Sequence, residues 1–171
     1  MYPERTTGLI LLEAVSQSIS NDGEISVLMS SDFLYWIMMS VMLGTGGPEA
    51  LAASTVPDET NQQLILKDPG KLADLERIAW SLWPPSERLA GWRNDMEQMN
   101  ELALPGQVRV PTLIIHGTKD ADVPFDQSVN LADAIEGARL YAVEGGDHMM
   151  PISHREEVTS VIDDFLTSLV E

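Results

Sequence analysis

The spacing of apolar and polar positions divides the chain into three stretches. Residues 8–13, Gly-Leu-Ile-Leu-Leu-Glu, make an unbroken apolar run between turn-like neighbours. A strand buried on both faces, as in a parallel sheet, needs such a run, because neither face can carry polar groups. A loop through Asn21, Asp22 and Gly23 follows. From residue 25 to 106 the apolar positions recur mostly at helical spacing. Ser31 and Asp32 could cap a helix through Phe33, Trp36, Ile37, Ser40 and Val41, which Gly44, Gly46, Gly47 and Pro48 end. Asp58 or Thr60 could begin another. Asp68, Pro69 and Gly70 read as a turn. Leu72, Leu75, Ile78, Ala79 and Leu82 form a helical stripe that Pro84 and Pro85 end, and Ser86 could cap a helix running past Trp92. From residue 107 the period alternates. Residues 110–116 read as a buried strand and 125–135 as a helix, with Val129, Ala132 and Ile135 on one side. Residues 138–143 read as a second strand, and 154–170 as an amphipathic helix through Val158, Val161, Ile162, Phe165, Leu166 and Leu169. Strand, helix, strand, helix implies parallel strands joined by crossovers, and so an α/β fold. The expected divisions are residues 1–24, a first core strand and loop; 25–106, a helical region; and 107–171, a C-terminal α/β core.

Composition narrows the possible partners. A chain of 171 residues with 44% hydrophobic content suits one ordinary domain with a sizeable core. Ten Lys and Arg against 27 Asp and Glu give a net charge of −17. Such a surface repels phosphate backbones and anionic lipid, which sets aside nucleic acid and membrane partners. The acidic residues are spread along the chain, and lysine occurs only at Lys67, Lys71 and Lys119. That pattern suits either a high-salt habitat, where counter-ions screen self-repulsion, or an ordinary acidic cytosolic protein. There is no cysteine, which removes disulfides, Cys-rich zinc sites and thiol nucleophiles. No basic segment followed by an apolar core opens the chain, so a cytoplasmic location is expected. Residues 25–43 are about as long as a short membrane span. However, Asp32, Ser26, Ser30, Ser31 and Ser40 interrupt them, and a buried or groove-lining helix is the expected reading.

The chemistry gathers at two strand ends. In open α/β sheets, ligands and catalytic groups collect at the carboxyl ends of the strands. The segment 111–117 runs into Thr118, Lys119, Asp120, Ala121, Asp122, Val123 and Pro124, which places two carboxylates just past one strand. The strand 138–143 runs into Glu144, Gly145, Gly146, Asp147 and His148. If the two strands are neighbours, Asp120 and His148 meet. A buried carboxylate beside an imidazole fixes its tautomer and stabilises the imidazolium formed when it takes a proton. Asp122 is the rival acid, with a more natural role in shaping the loop. His116 lies within the strand and reads as a buried, hydrogen-bonded residue, and His154 as part of the last helix's first turn. A metal site from His148, His154, Asp147 and Glu156 lacks a recognised ligand spacing, so no metal and no cofactor is expected. Phe33, Trp36, Met38, Met39 and Met42 could line an apolar or acyl pocket, or simply pack the helices.

These residues carry a resemblance. Residues 111–124 resemble the acid-bearing strand and loop of the α/β-hydrolase superfamily, an apolar strand followed by Gly-x-x-Asp-x-x-Val-Pro, with Asp120 on the acid position. Gly145, Gly146, Asp147 and His148 resemble its histidine loop, although Asp147 stands where glycine is common. Tyr2, Pro3, Glu4 and Arg5, followed by residues 8–12, resemble its sixth strand and the approach to it. The resemblance implies a partial α/β-hydrolase fold of about three parallel strands, with the helical middle in the place of the cap. It implies hydrolysis of an ester or related carbonyl compound by a nucleophile–His–Asp triad, with a small apolar or acyl substrate. The family's nucleophile elbow, Gly-x-Ser-x-Gly or a variant, occurs nowhere in the sequence. The chain is therefore expected to be a fragment, one part of a split enzyme, or a non-catalytic remnant. It is also expected to self-associate or to pair with an N-terminal half.

Overall fold

The computed structural model describes residues 5–16, 31–99 and 107–170. The expected loop at Asn21 to Gly23, the approach Tyr2 to Glu4 and the beginning of the 25–43 stretch lie outside them. The chain forms two compact units, Met1–Ser18 with Leu102–Glu171, and Ile19–Glu101.

The first unit is built on a parallel sheet of three strands in the order β1 (Leu9–Leu12), β2 (Thr112–Gly117), β3 (Arg139–Val143). Leu12 stands opposite Ile115, and Gly117 opposite Val143. All of β2 is buried, which explains its continuous apolar run: as the central strand it is covered on both faces. Successive side chains point to opposite faces. Leu113 and Ile115 join Val143, Met150, Val158 and Phe165 on one face. There α7 (Met150–Ser153) and α8 (Arg155–Ser168) follow the sheet. Ile114 joins Val108, Leu131 and Ile135 on the other face, under α6 (Asp126–Ala134). Each fully buried aliphatic or aromatic side chain contributes about 1.5–3 kcal/mol. The helix expected over 154–170 is α8, with His154 at its N-cap, and the short α7 precedes it with Pro151 in its first turn. Val158, Val161, Ile162, Phe165 and Leu169 face the core, while Leu166 does not.

The second unit is all helical among its described residues. It comprises α1 (Asp32–Val41), a π-helical turn (Met42–Gly46), α2 (Gly47–Thr55), α3 (Glu59–Leu66), α4 (Pro69–Ser81) and α5 (Pro85–Met99). Short polar side chains satisfy the orphan N–H groups at three helix starts. Ser31 Oγ accepts from Leu34 N, Asp58 Oδ1 from Thr60 N and Asn61 N, and Asp68 Oδ1 from Gly70 N and Lys71 N. Tyr35, Met39, Leu51, Ala52, Val56, Ile65, Leu75 and Ala79 are buried, and the Tyr35 hydroxyl donates to the Ala79 carbonyl at 2.6 Å.

Three expectations change here. Asp68, Pro69 and Gly70 start α4 rather than making a turn, because proline at the first helical position lacks only an N–H that would be unpaired anyway. The glycines after Val41 do not end in a loop: the chain widens into a π-helical turn and re-enters a helix at Gly47 and Pro48. Ser86 is not a cap; its N–H and hydroxyl both donate to the Asp32 carboxylate, at 2.8 and 2.7 Å. Of the α4 stripe, Leu75 and Ala79 are buried but Ile78 and Leu82 are exposed. Phe33 and Trp36 are exposed and stack on each other, while Met39 is core. Asp32, Phe33, Trp36 and Trp83 line a shallow pocket of about 310 Å³. Among the described residues no helix is long and apolar enough to cross a membrane.

Candidate active site

Two loops leave the sheet at the carboxyl ends of β2 and β3 and are bonded to each other. Thr118 N donates to Val143 O, and Lys119 N to Gly146 O at 2.8 Å. Gly145 N donates to the Thr118 hydroxyl at 2.9 Å. A Cβ on Gly117 would collide with the Gly146 backbone, so the loops can lie this close only without a side chain there. Gly145 takes φ 76°, which reverses the chain after β3 and returns it over the strand end. Asp147, where the resemblance favours glycine, needs no such freedom, since Glu13 is the one non-glycine with positive φ among the described residues. Its carboxylate instead accepts from Met149 N at 3.0 Å and shapes the histidine loop.

Asp120 is anchored by the loop that carries it. Its Oδ1 accepts from the N–H groups of Asp122 and Val123, both at 2.9 Å. Its Oδ2 lies 2.9 Å from His148 Nδ1. A carboxylate can only accept, so Nδ1 carries the proton and Nε2 is left with the lone pair. The Asp120 side chain is fully buried whereas that of His148 is 38% exposed, which leaves the imidazole reachable.

The other weighed residues separate from this pair. Asp122 contributes its backbone N–H to Asp120. His116 is buried in β2, with Nδ1 2.6 Å from Ser128 Oγ and Nε2 2.8 Å from the Val123 carbonyl. Since that carbonyl can only accept, Nε2 of His116 carries a proton; it also approaches Asp120 Oδ2 at 3.3 Å. His154 bonds to Ser153 Oγ and Glu156 lies by Arg155.

Sequence reasoning missed Glu13. It follows β1 at φ 50°, with its N–H donating to Ile115 O at 3.0 Å. Its side chain is only 8% exposed and its Oε2 lies 3.6 Å from His148 Nδ1, while Oε1 is buried without a hydrogen-bond partner. Burial, and then the negative charges of Asp120, Asp147 and Asp122, raise its carboxyl from 4.5 to about 8. The available signal was its place at the carboxyl end of a parallel strand, the same rule that singled out Asp120. Ligand atoms of Glu13, Asp120 and His148 lie within 4.8 Å of one another. By residue type this trio could hold a divalent cation, but both Asp120 oxygens are already committed to N–H donors.

The comparisons agree with this architecture. A family model described as TAP-like protein matches residues 86–169. The chain is 28% identical over 127 residues to a putative carbamate hydrolase, RutD, of Pseudomonas savastanoi pv. phaseolicola, covering 74% of this chain and 49% of that one. It thus spans about half the length of this curated relative. An α/β hydrolase fold protein from Nakamurella multipartita superposes with a TM-score of 0.80 at 27% identity, over 96% of this chain and 62% of that one. A thermophilic esterase from Thermogutta terrifontis shares the fold, with a TM-score of 0.67 at 21% identity over 98% of this chain and 58% of that one. With its parallel sheet, flanking helices and acid and histidine loops at adjacent strand ends, the chain has part of the α/β-hydrolase superfamily fold.

Proposed function

We propose that this chain supplies the acid and the base of a hydrolase acting on an ester or related carbonyl compound. His148 is the general base and then the general acid, through Nε2, and Asp120 holds the ring in the required tautomer. The observation that carries the reading is the 2.9 Å contact between His148 Nδ1 and Asp120 Oδ2, in which the acid is pinned by two further backbone N–H groups. The nucleophile would attack the carbonyl carbon while Nε2 takes its proton, and the same proton would pass to the leaving group. The sequence offers no Gly-x-Ser-x-Gly to supply that nucleophile. The name of one relative, a putative carbamate hydrolase, supports the class of chemistry.

On this reading the helical unit serves as the cap, and the apolar pocket of Phe33, Trp36 and Trp83 offers contact to an acyl or other small apolar group. The protein would work in the cytoplasm. The free edge of β1 would be covered by a strand from a second copy or from an N-terminal half of the fold, because an open apolar edge invites pairing. Sedimentation at micromolar concentration reads the first of these directly.

The test begins with the DNA upstream of Met1. An in-frame elbow there, with ester turnover by the product that includes it and loss of turnover in His148→Ala, is the expected result. No elbow and no turnover would refute the enzyme reading. The absence of Gly-x-Ser-x-Gly from this sequence favours, as the second reading, a non-catalytic domain that retains part of the hydrolase fold.

A further inference from the structure

A second histidine, which the proposed chemistry does not use, lies against the acid. His116 is fully buried near the end of β2, and its ring meets Phe125 edge to face with centroids 5.7 Å apart. Both ring nitrogens are engaged, each by a different part of the chain. Nε2 lies 2.8 Å from the Val123 carbonyl and 3.3 Å from Asp120 Oδ2, and Nδ1 lies 2.6 Å from the Ser128 hydroxyl on α6. Val123 is therefore held from both sides, since its own N–H donates to Asp120 Oδ1 at 2.9 Å. We propose that His116 is a positioning residue: aimed by Ser128, its Nε2–H clamps Val123 and, through it, the loop that presents Asp120 to His148. The proposal rests on the reading of Asp120 and His148 as an acid–base pair.

The loop needs such a clamp. Residues 118–125 lie between β2 and α6 and form neither helix nor strand, so discrete bonds must keep the acid in place. The two N–H groups that pin Asp120 Oδ1 belong to Asp122 and Val123 of the same loop. Bonds within a loop do not stop it from moving as one body. Its start is tied to the histidine loop through Thr118 and Lys119. His116 ties its far end to the central strand. The direction of that tie depends on the tautomer. A carbonyl only accepts, so the His116 proton sits on Nε2, and the Ser128 hydroxyl donates to Nδ1. His116 and His148 thus carry their protons on opposite nitrogens, and both N–H groups face Asp120 Oδ2. The His116 N–H dipole favours the orientation of the carboxyl group that keeps Oδ2 toward the two rings.

Glutamine and methionine separate the donor from the shape. Glutamine keeps an N–H donor at about the reach of Nε2, whereas methionine fills a similar space and has none. The measurement is the proton spectrum of the 15N-labelled chain, in which hydrogen-bonded imidazole N–H groups resonate downfield of the amides and their exchange with water can be timed. The wild type should show two such protons, on Nδ1 of His148 and on Nε2 of His116. In His116→Met the His148 proton should exchange about tenfold faster, the factor that one lost hydrogen bond of ordinary strength represents. In His116→Gln it should stay near the wild-type rate. An unchanged rate in a folded His116→Met overturns the proposal and leaves the acid–base pair standing. Equal acceleration in both variants does the same, because shape alone would then explain the effect. A wild type without the His148 signal overturns the pair itself and the proposal with it. Should the variants fail to fold, the wild type decides: a His116 proton on Nε2 is expected, and a His148 signal without it overturns the proposal alone.

Discussion

Replacing Glu13 by glutamine tests the electrostatics of the site without requiring turnover. The amide has the shape of the protonated carboxyl but cannot ionise. In the folded protein the Glu13 carboxyl is raised from 4.5 to about 8, chiefly by burial and then by Asp120, Asp147 and Asp122. An acid raised on folding contributes stability that is complete below its unfolded value near 4.5 and is lost as the pH climbs through about 8. At about 1.36 kcal/mol per pH unit, a rise from 4.5 to about 8 sets an upper bound of about 5 kcal/mol. Water reaching the Glu13 carboxyl and its acidic neighbours weakens both effects and brings the expected loss to about 2 kcal/mol. Urea denaturation of wild type and Glu13→Gln from about pH 4 to about pH 9, the window spanning both values, is the assay. The stability difference between the two proteins should shift toward the variant by about 2 kcal/mol across that window. Other titrating groups are common to both and cancel. Parallel curves would refute the reasoning, since Glu13 would then titrate alike in the folded and unfolded states.

Other outcomes follow from the same structure. Gly117→Ala places a methyl group against the Gly146 backbone, and thermal melting should show a loss of about 1–3 kcal/mol. Asp58→Ala removes the acceptor for Thr60 N and Asn61 N, and denaturant titration should show a loss of about 1 kcal/mol. With a net charge of −17, the melting temperature should rise between low and molar potassium chloride; a flat response favours the ordinary acidic-protein reading. The chain alone should show no turnover of p-nitrophenyl acetate that depends on a serine, and a fluorophosphonate probe should leave it unlabelled, because an exposed, activated hydroxyl needs the elbow context that this sequence lacks.

The sequence by itself determined the strands, the type of sheet and the acid–histidine pair. The apolar run within residues 110–116 is buried as the central parallel strand, whereas that within residues 8–13 forms β1, an edge strand that is half-buried rather than buried on both faces, with Leu12 exposed; carboxylates or a histidine just past such strands fall at one end of the sheet. Adjacent β2 and β3 then bring Asp120 and His148 to 2.9 Å. Helix starts were legible wherever one short polar side chain settles them locally, as at Ser31 and Asp58. Asp68, Pro69 and Gly70 read as a turn because Asp-Pro-Gly suits a turn as well as a helix start, and the packing of Leu75 and Ala79 selects the helix instead. Glu13 was hidden for a different reason. Its chemistry depends on which strand lies beside β2 and in what register, with Leu12 opposite Ile115. No local pattern encodes that pairing. Burial and neighbouring charge, which turn an ordinary terminal glutamate of a strand into a carboxyl raised to about 8, arise only when three separate strand ends are brought together by the tertiary fold.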